Sequence, residues 1–254
     1  MIMFQQIRNA TVKLRYPGVT FLVDPWLSEP CSPAERAQAL QTRSFIPKPV
    51  CPLPMPPEEI LADVDVILTT HLHEDHFSGD FLPRDVRMVF QNRADAEKAE
   101  AMGFAGVSCF ADAPRMLGGV TVYRVDARHG DTEAAVRRMG PTSGFVFVQA
   151  GEPTVYLAGD TIYYEGVRDV IDRFSPAVII VNACDARLPV GRLIMNAEDV
   201  MQTCACRPDS LVIASHMEAV SHAHLDRAML RQFLSEPPYA AQVRIPKDGE
   251  KIEL

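Results

Sequence analysis

Val64-Asp65-Val66-Ile67-Leu68-Thr69-Thr70-His71-Leu72-His73-Glu74-Asp75-His76 carries an apolar segment directly into four side chains that can hold a metal. The run Val64 to Leu68 has the length and β-branched content of a buried strand. In an extended backbone alternate side chains share a side, so His71 and His73 can aim at one point as the strand ends. Asp75 and His76 follow in the turn and can aim at a second point nearby. Imidazole nitrogens with a carboxylate oxygen suit a borderline divalent ion, with zinc bonds of about 2.0 to 2.2 Å. A purely structural account would have to explain four polar groups crowded behind a core strand, so metal binding is the better reading.

Further along the chain the same situation recurs. His129 follows Val120 to Val125, Asp160 follows Thr154 to Leu157 by way of Gly159, and His216 follows Leu211 to Ala214. Ligand-capable residues just past buried strands stand where α/β folds place their sites. Five of the 7 histidines are used in this way. Each residue alone has an ordinary alternative: a hydrogen-bonded loop histidine, or a turn-forming aspartate after glycine.

Around these points the chain alternates strand-like and helical patterns, the signature of α/β layering. Thr11 to Tyr16 and Val19 to Val23 flank Pro17-Gly18 as a hairpin, and the second run ends in Asp24-Pro25-Trp26. A proline-broken segment follows, with one helix expected near Ala34 to Gln41, lying as an ordered loop over the rest. Further strands are expected at Val86 to Phe90, Phe145 to Val148, Val178 to Val181 and Gln242 to Ile245. Helices are expected at Ala94 to Met102, Tyr163 to Arg173, Ala197 to Cys206 and His222 to Leu234. Asn92 with Asp95, and Asn196 with Asp199, read as helix starts. No repeat and no low-complexity tract interrupts the pattern, so one domain over residues 1–254 is expected.

With 25 Lys plus Arg against 33 Asp plus Glu the formal net charge is -8 and no basic run occurs. A nucleic-acid partner is thereby disfavoured, because neutralising phosphates requires a basic surface. The N-terminus lacks the pattern of a signal peptide, and no apolar run approaches the roughly 20 residues that cross a bilayer. A soluble, cytoplasmic protein with a small-molecule substrate, no nucleic acid and no membrane partner is expected; homo-oligomer formation is left open. Cys31, Cys51, Cys109, Cys184, Cys204 and Cys206 have no disulfide-framework spacing and read as thiols. Cys204-x-Cys206 lies inside a helix and reads as packing.

The His-x-His-x-Asp-His motif, the later His129, Gly159-Asp160-Thr161 after a strand and the late His216 together resemble the metallo-β-lactamase superfamily. The resemblance spans nearly the whole chain. Asp24-Pro25-Trp26, the proline-rich segment, Leu157-Ala158-Gly159-Asp160-Thr161 and Ala214-Ser215-His216 look most like its L-ascorbate 6-phosphate lactonase branch. What this implies is an α/β fold, a four-layer αββα sandwich with the site at one edge. It also implies that His71, His73 and His129 hold a first metal, that Asp75, His76 and His216 hold a second, and that Asp160 bridges them. Zinc leads for both positions, with manganese or iron as alternatives. Two such ions about 3.5 to 4 Å apart make hydroxide available near neutral pH. The expected reaction is hydrolysis of a small ester, lactone or phosphoester by a metal-bridging hydroxide, with Asp75 orienting it or taking its proton. An iron-dependent oxidoreductase on the same scaffold is the alternative, and a non-catalytic metal-binding protein stands behind both, since no ligand is missing.

Substrate contacts are less legible. Tyr163 and Tyr164, next to Gly159-Asp160-Thr161, could border the pocket, as could His222 and, less so, His224. Arg128, Arg187 and Arg192 could grip an anionic group, although a solvated role is the ordinary one. Glu74 is expected to face outward, and Ser215 and Cys184 to be structural. Asp24 reads slightly better as a turn residue before proline than as an acceptor orienting an imidazole.

Overall fold

In the computed structural model, which describes residues 1–254, the β-prone runs assemble into two sheets of seven strands each. The first contains β1 (Met3–Arg8), β2 (Thr11–Tyr16), β3 (Val19–Val23), β4 (Val66–Thr69), β5 (Met88–Phe90) and β6 (Val107–Cys109) in that spatial order. The second contains β7 (Arg115–Leu117), β8 (Val120–Ala127), β9 (Thr142–Val148), β10 (Val155–Leu157), β11 (Val178–Asn182), β14 (Leu211–Ser215) and β15 (Val243–Arg244), again in that spatial order. β12 (Arg187–Leu188) and β13 (Gly191–Arg192) make a separate hairpin, and β16 (Lys251–Glu253) adds to the first sheet beside β1.

Strand alternation sorts side chains into layers. Phe21, Val23, Val66, Leu68 and Val89 of the first sheet meet Phe145, Phe147, Leu157, Ile180 and Ile213 of the second in one core between the sheets. Tyr16, Phe21 and Phe147 stack or meet edge-on there, at centroid separations of 5.3 to 6.0 Å. The intervening residues point the other way. Leu22, Ile67, Met88 and Phe90 pack outward with Ile60 of α2 (Pro57–Leu61) and with Ala96 and Ala99 of α3 (Arg93–Ala101). On the opposite side Val146, Tyr156, Ile179, Val181, Val212 and Ala214 pack against α5 (Glu165–Phe174), α6 (Ala197–Cys206) and α7 (Arg227–Phe233). Helices on both outer faces of two packed sheets make the four-layer αββα sandwich.

The proline-rich segment carries α1 (Pro33–Thr42), closes on itself where Cys31 N donates to Pro49 O, and is tied across the fold by Val50 N to Ala219 O and Arg43 Nη1 to Ala223 O. α4 (Glu133–Met139) and α8 (Tyr239–Gln242) are short. The helix expected from His222 begins only at Arg227, because Asp226 caps it by accepting from Met229 N at 2.7 Å. His222 therefore lies in the preceding turn. Strand β1 escapes a pattern search because Gln5, Gln6 and Arg8 are polar yet buried, and α4 because it buries Ala135 alone. The cap of α6 is as the sequence suggests, with Asn196 Oδ1 accepting from Asp199 N at 2.9 Å. Asn196→Ala should lower the unfolding free energy by about 1 kcal/mol, read from urea denaturation.

What positions the site is strand polarity. β3 and β4 pair in parallel, β10 pairs in parallel with β11, and β11 with β14. β1 and β8 are each two antiparallel steps away from β3 and β10, so they share that direction. All their carboxyl ends emerge at one edge of the sandwich, the edge where open α/β sheets put their ligands.

Candidate metal centre

Each of the seven side chains in question leaves that edge. His71, His73, Asp75 and His76 follow β4, His129 follows β8, Asp160 follows β10 and His216 follows β14. The fold gathers them into three groups whose donor atoms lie within 4.8 Å of one another: His71, His73 and His129; His71, His76 and Asp160; Asp75, His76 and His216. His71 Nε2 faces His73 Nδ1 at 2.8 Å, and His76 Nε2 faces His216 Nε2 at 3.1 Å. Asp160 Oδ2 stands between the outer groups, 3.1 Å from His76 Nε2 and 3.4 Å from His129 Nε2. Asp75 Oδ2 is 3.2 Å from His216 Nε2.

The local backbone is shaped for this convergence. Gly159 has φ +68°, and a Cβ there would sit 2.4 Å from Ser143 O, so only glycine lets β10 deliver Asp160 so close to β9. His216 itself has φ +63°, a conformation that non-glycine residues rarely adopt, and its N–H donates to Asn9 O at 3.0 Å.

Every imidazole has its second nitrogen tied to the protein. His71 Nδ1 meets Thr70 Oγ1 at 3.0 Å, His73 Nε2 meets Met139 O at 3.0 Å, and His129 Nδ1 meets Leu193 O at 3.0 Å. His76 Nδ1 meets Asp24 Oδ2 at 2.8 Å, and His216 Nδ1 meets Cys184 Sγ at 3.5 Å. An acceptor on the outer nitrogen places the proton there and leaves a lone pair on the inner one, the arrangement that metal-binding histidines require. Five inward imidazole nitrogens with two carboxylates form a donor set of the kind zinc-like divalent ions take, binding displacing any proton on the inner side. The residues fit such ions.

Electrostatics are strongly perturbed at this edge. Burial alone would raise the carboxyl pKa of Asp160 and Asp75, but the neighbouring imidazoles, His76 first, hold both below the usual carboxylate range. Burial disfavours a charged His76, yet Asp160, Asp75 and Asp24 outweigh it and pull its pKa up to about 10. His129 goes the other way: burial pushes it down to about 4. His71 is likewise held well below its ordinary value by burial, with His76 and His73 adding to the effect.

Asp24 requires a correction. Rather than simply turning the chain, its buried carboxylate accepts from Thr70 N at 2.7 Å, from Thr70 Oγ1 at 2.7 Å and from His76 Nδ1, with φ +49° supplying the turn as well. Two asparagines were not apparent from the sequence. Asn182, at the end of β11, donates to Asp160 Oδ1 at 2.7 Å, and Asn9, after β1, donates to Asp75 O at 3.0 Å. A left-handed asparagine between two strands is the signal that could have marked Asn9.

The centre forms the floor of a cavity of about 260 Å³ whose walls include Phe45, Leu72, Met139, Ala186, Leu188 and Leu193. His222 also lines it, whereas Tyr163 and Tyr164 do not. Tyr163 packs on the helical face of the second sheet and donates its N–H to Asp199, and Tyr164 OH donates to Asp126 O. His224 borders a different groove beside α7. The three arginines are engaged elsewhere: Arg128 with Glu133 at 3.0 Å, Arg187 with Asp185 at 2.8 Å, and Arg192 with Asp199. Glu74 is exposed at the rim, Ser215 Oγ donates to Gln6 Oε1 at 2.8 Å, and Cys204 is buried in the helical core.

No helix is long and apolar enough to cross a membrane. Residues 20–217 match the family model described as a β-lactamase superfamily domain. The chain is 36% identical to the UPF0173 protein YddR of Bacillus subtilis over 249 residues, covering 96% of this chain and 97% of that one. Among solved structures it is similar to an isothiocyanate hydrolase from Delia radicum gut bacteria, with TM-score 0.87, 33% identity and coverage of 99% and 98% of the two chains. It is also similar to a possible metal-dependent hydrolase from Veillonella parvula, with TM-score 0.90, 29% identity and full coverage of both chains. A matching family model over most of the chain, the two-sheet sandwich and the His/Asp cluster at its edge together show that this chain belongs to the metallo-β-lactamase superfamily.

Proposed function

We propose that the chain is a metal-dependent hydrolase holding two divalent ions, and that it cleaves a small uncharged electrophile carried on an apolar group, with isothiocyanates as the substrate class. His71, His73 and His129 would hold one ion, Asp75, His76 and His216 the other, and Asp160 both. The observation that carries this reading is the cavity: its floor is the donor cluster, its walls are largely aliphatic and aromatic, and Arg128, Arg187 and Arg192 are paired off outside it. A phosphoester needs a cationic subsite close to the reacting centre. Of the cavity residues only Arg138, exposed on α4, carries a fixed positive charge. The likeness to an isothiocyanate hydrolase over nearly the whole chain supports the substrate class, and the general hydrolase description of the Veillonella protein supports the reaction type.

When bound, divalent ions at this cluster would lower the pKa of water toward neutrality and polarise the electrophilic atom beside it. The protein's own part is threefold. The walls formed by Phe45, Leu72 and Met139 take the organic substituent out of water. The anchored imidazoles fix the donors, so that none has to reorganise during reaction. Asp75, held by Asn9 and facing the cavity, accepts a proton from the attacking water and returns it to the leaving nitrogen. For R–N=C=S the water oxygen bonds to the central carbon, the carbon–nitrogen bond to the substituent's amine breaks, and both water protons end on that nitrogen. The products are the amine R–NH2 and carbonyl sulfide, with no net oxidation or reduction.

The test is a panel of phenethyl isothiocyanate, a lactone, a p-nitrophenyl ester and a phosphodiester, offered to protein reconstituted separately with zinc, manganese and iron. The expected result is highest kcat/KM for the isothiocyanate, loss of activity on chelation and recovery on adding back the metal. Faster turnover of the lactone or the phosphodiester would overturn the substrate class. Activity that survives full removal of metal would overturn the mechanism.

A further inference from the structure

His222 is the one cavity histidine outside the donor cluster, and its ring has no use in holding the fold together by hydrogen bonds. Its relative exposure is only 6%, and Nδ1 is fully buried without a partner. Nε2 has no protein partner either, and it is the ring nitrogen that keeps access to the cavity. The two tautomers of a neutral imidazole are therefore unequal. A proton on Nδ1 would bury an unsatisfied N–H, at a cost in line with an orphaned donor. A proton on Nε2 leaves a lone pair at the buried nitrogen and puts the N–H on the nitrogen that faces the cavity.

The ring is also held in place. Phe45 meets it edge-on at a centroid distance of 5.5 Å and 74°, and Ser221 Oγ donates to Ser44 O at 2.5 Å. Arg43 Nη1 donates to Ala223 O, and Arg187 N to His222 O at 3.3 Å. The turn at 221–223 is thus pinned both to the proline-rich segment and to β12. Burial also moves the ring away from the charged form; Asp75 and Asp160 act against this and His216 with it, and burial prevails.

We infer that His222 is a substrate-contacting donor, its Nε2–H directed at the heteroatom of the substrate on which negative charge builds as water adds to the electrophilic carbon. This rests on the cavity being the substrate site as proposed above. A neutral donor aimed at developing charge keeps its proton throughout, so the step adds no proton transfer to the balance already given. For a heterocumulene the contacted atom is sulfur or nitrogen; for an ester it is the carbonyl oxygen.

Two measurements on the full-length, metal-reconstituted protein test this. Long-range nitrogen–proton NMR of the histidine rings, with His222→Phe used for assignment, should find His222 neutral and protonated on Nε2. An Nδ1–H tautomer or a cationic ring at neutral pH overturns the inference, whatever the substrate proves to be. In kinetics, His222→Phe keeps the ring shape and the contact with Phe45, and should lower kcat/KM about a hundredfold, as losing one oxyanion-type donor does. Metal content should be unchanged. His222→Gln, which restores an N–H donor, should recover most of that loss. Undiminished kcat/KM in His222→Phe overturns the inference. If the wild-type protein cleaves esters and not isothiocyanates, the substrate class fails while the ester kinetics of the same variants still decide the role of His222.

Discussion

Asp160→Ala is expected to abolish turnover and to leave the protein with less than its full complement of metal, while the αββα sandwich survives. The carboxylate is the element common to both halves of the proposed centre: Oδ2 lies 3.1 Å from His76 Nε2 and 3.4 Å from His129 Nε2, and Oδ1 lies 3.8 Å from His216 Nε2. The loss should therefore be well beyond the roughly tenfold to hundredfold cost of removing a group that only orients a ligand. The fold should persist because Asp160 stands past the end of β10, outside the inter-sheet core, and the main polar group it leaves stranded is the Asn182 amide. One orphaned buried donor costs about 1–3 kcal/mol. Elemental analysis, circular dichroism and steady-state rates on one preparation check this. Full activity in the variant would refute a bridging role.

Asp24→Asn should weaken metal binding by about tenfold to a hundredfold without touching any proposed ligand. Asparagine tolerates the left-handed backbone that Asp24 adopts at φ +49°, so the substitution isolates the loss of charge and of one acceptor from any effect on the turn. The wild-type carboxylate receives three donors: Thr70 N, Thr70 Oγ1 and His76 Nδ1. Through Thr70 it also steadies His71, whose Nδ1 rests on the same hydroxyl. An amide offers one oxygen and turns its NH2 toward one of those donors. Metal-free stability should fall by about 1–3 kcal/mol as a buried N–H or O–H goes unpaired. Zinc competition titrations against a chelator of known affinity, with urea denaturation of the metal-free forms, separate the two effects. Unchanged zinc affinity would mean that Asp24 serves the turn alone.

Much of this arrangement was legible because its signals are short in range. Val64 to Leu68 followed by His71-Leu72-His73 shows strand, edge and donor set in one glance, and Gly159-Asp160 and Ser215-His216 repeat the logic at other strand ends. The αββα layering follows from period-two runs such as Phe145-Val146-Phe147, whose rings enter the inter-sheet core while Val146 faces the helices. What stayed hidden depends on pairing between distant segments. Asn9 reaches Asp75 only because β1 runs parallel to β3 two strands away, and Asn182 reaches Asp160 only because β10 and β11 lie side by side. The carbonyls of Met139 and Leu193, which anchor His73 and His129, belong to the backbone and have no residue signature at all. Tyr163 and Tyr164 looked like pocket residues by their nearness to Asp160 in the chain, but the backbone turns after Thr161 and delivers both to the helical side of the second sheet.

Because the donors leave strand ends of both sheets, no contiguous stretch of the chain contains a finished centre. A nascent polypeptide that has emerged as far as β11 owns six of the seven donors but still lacks His216. The group formed by Asp75, His76 and His216 is therefore completed only when β14 has joined the second sheet.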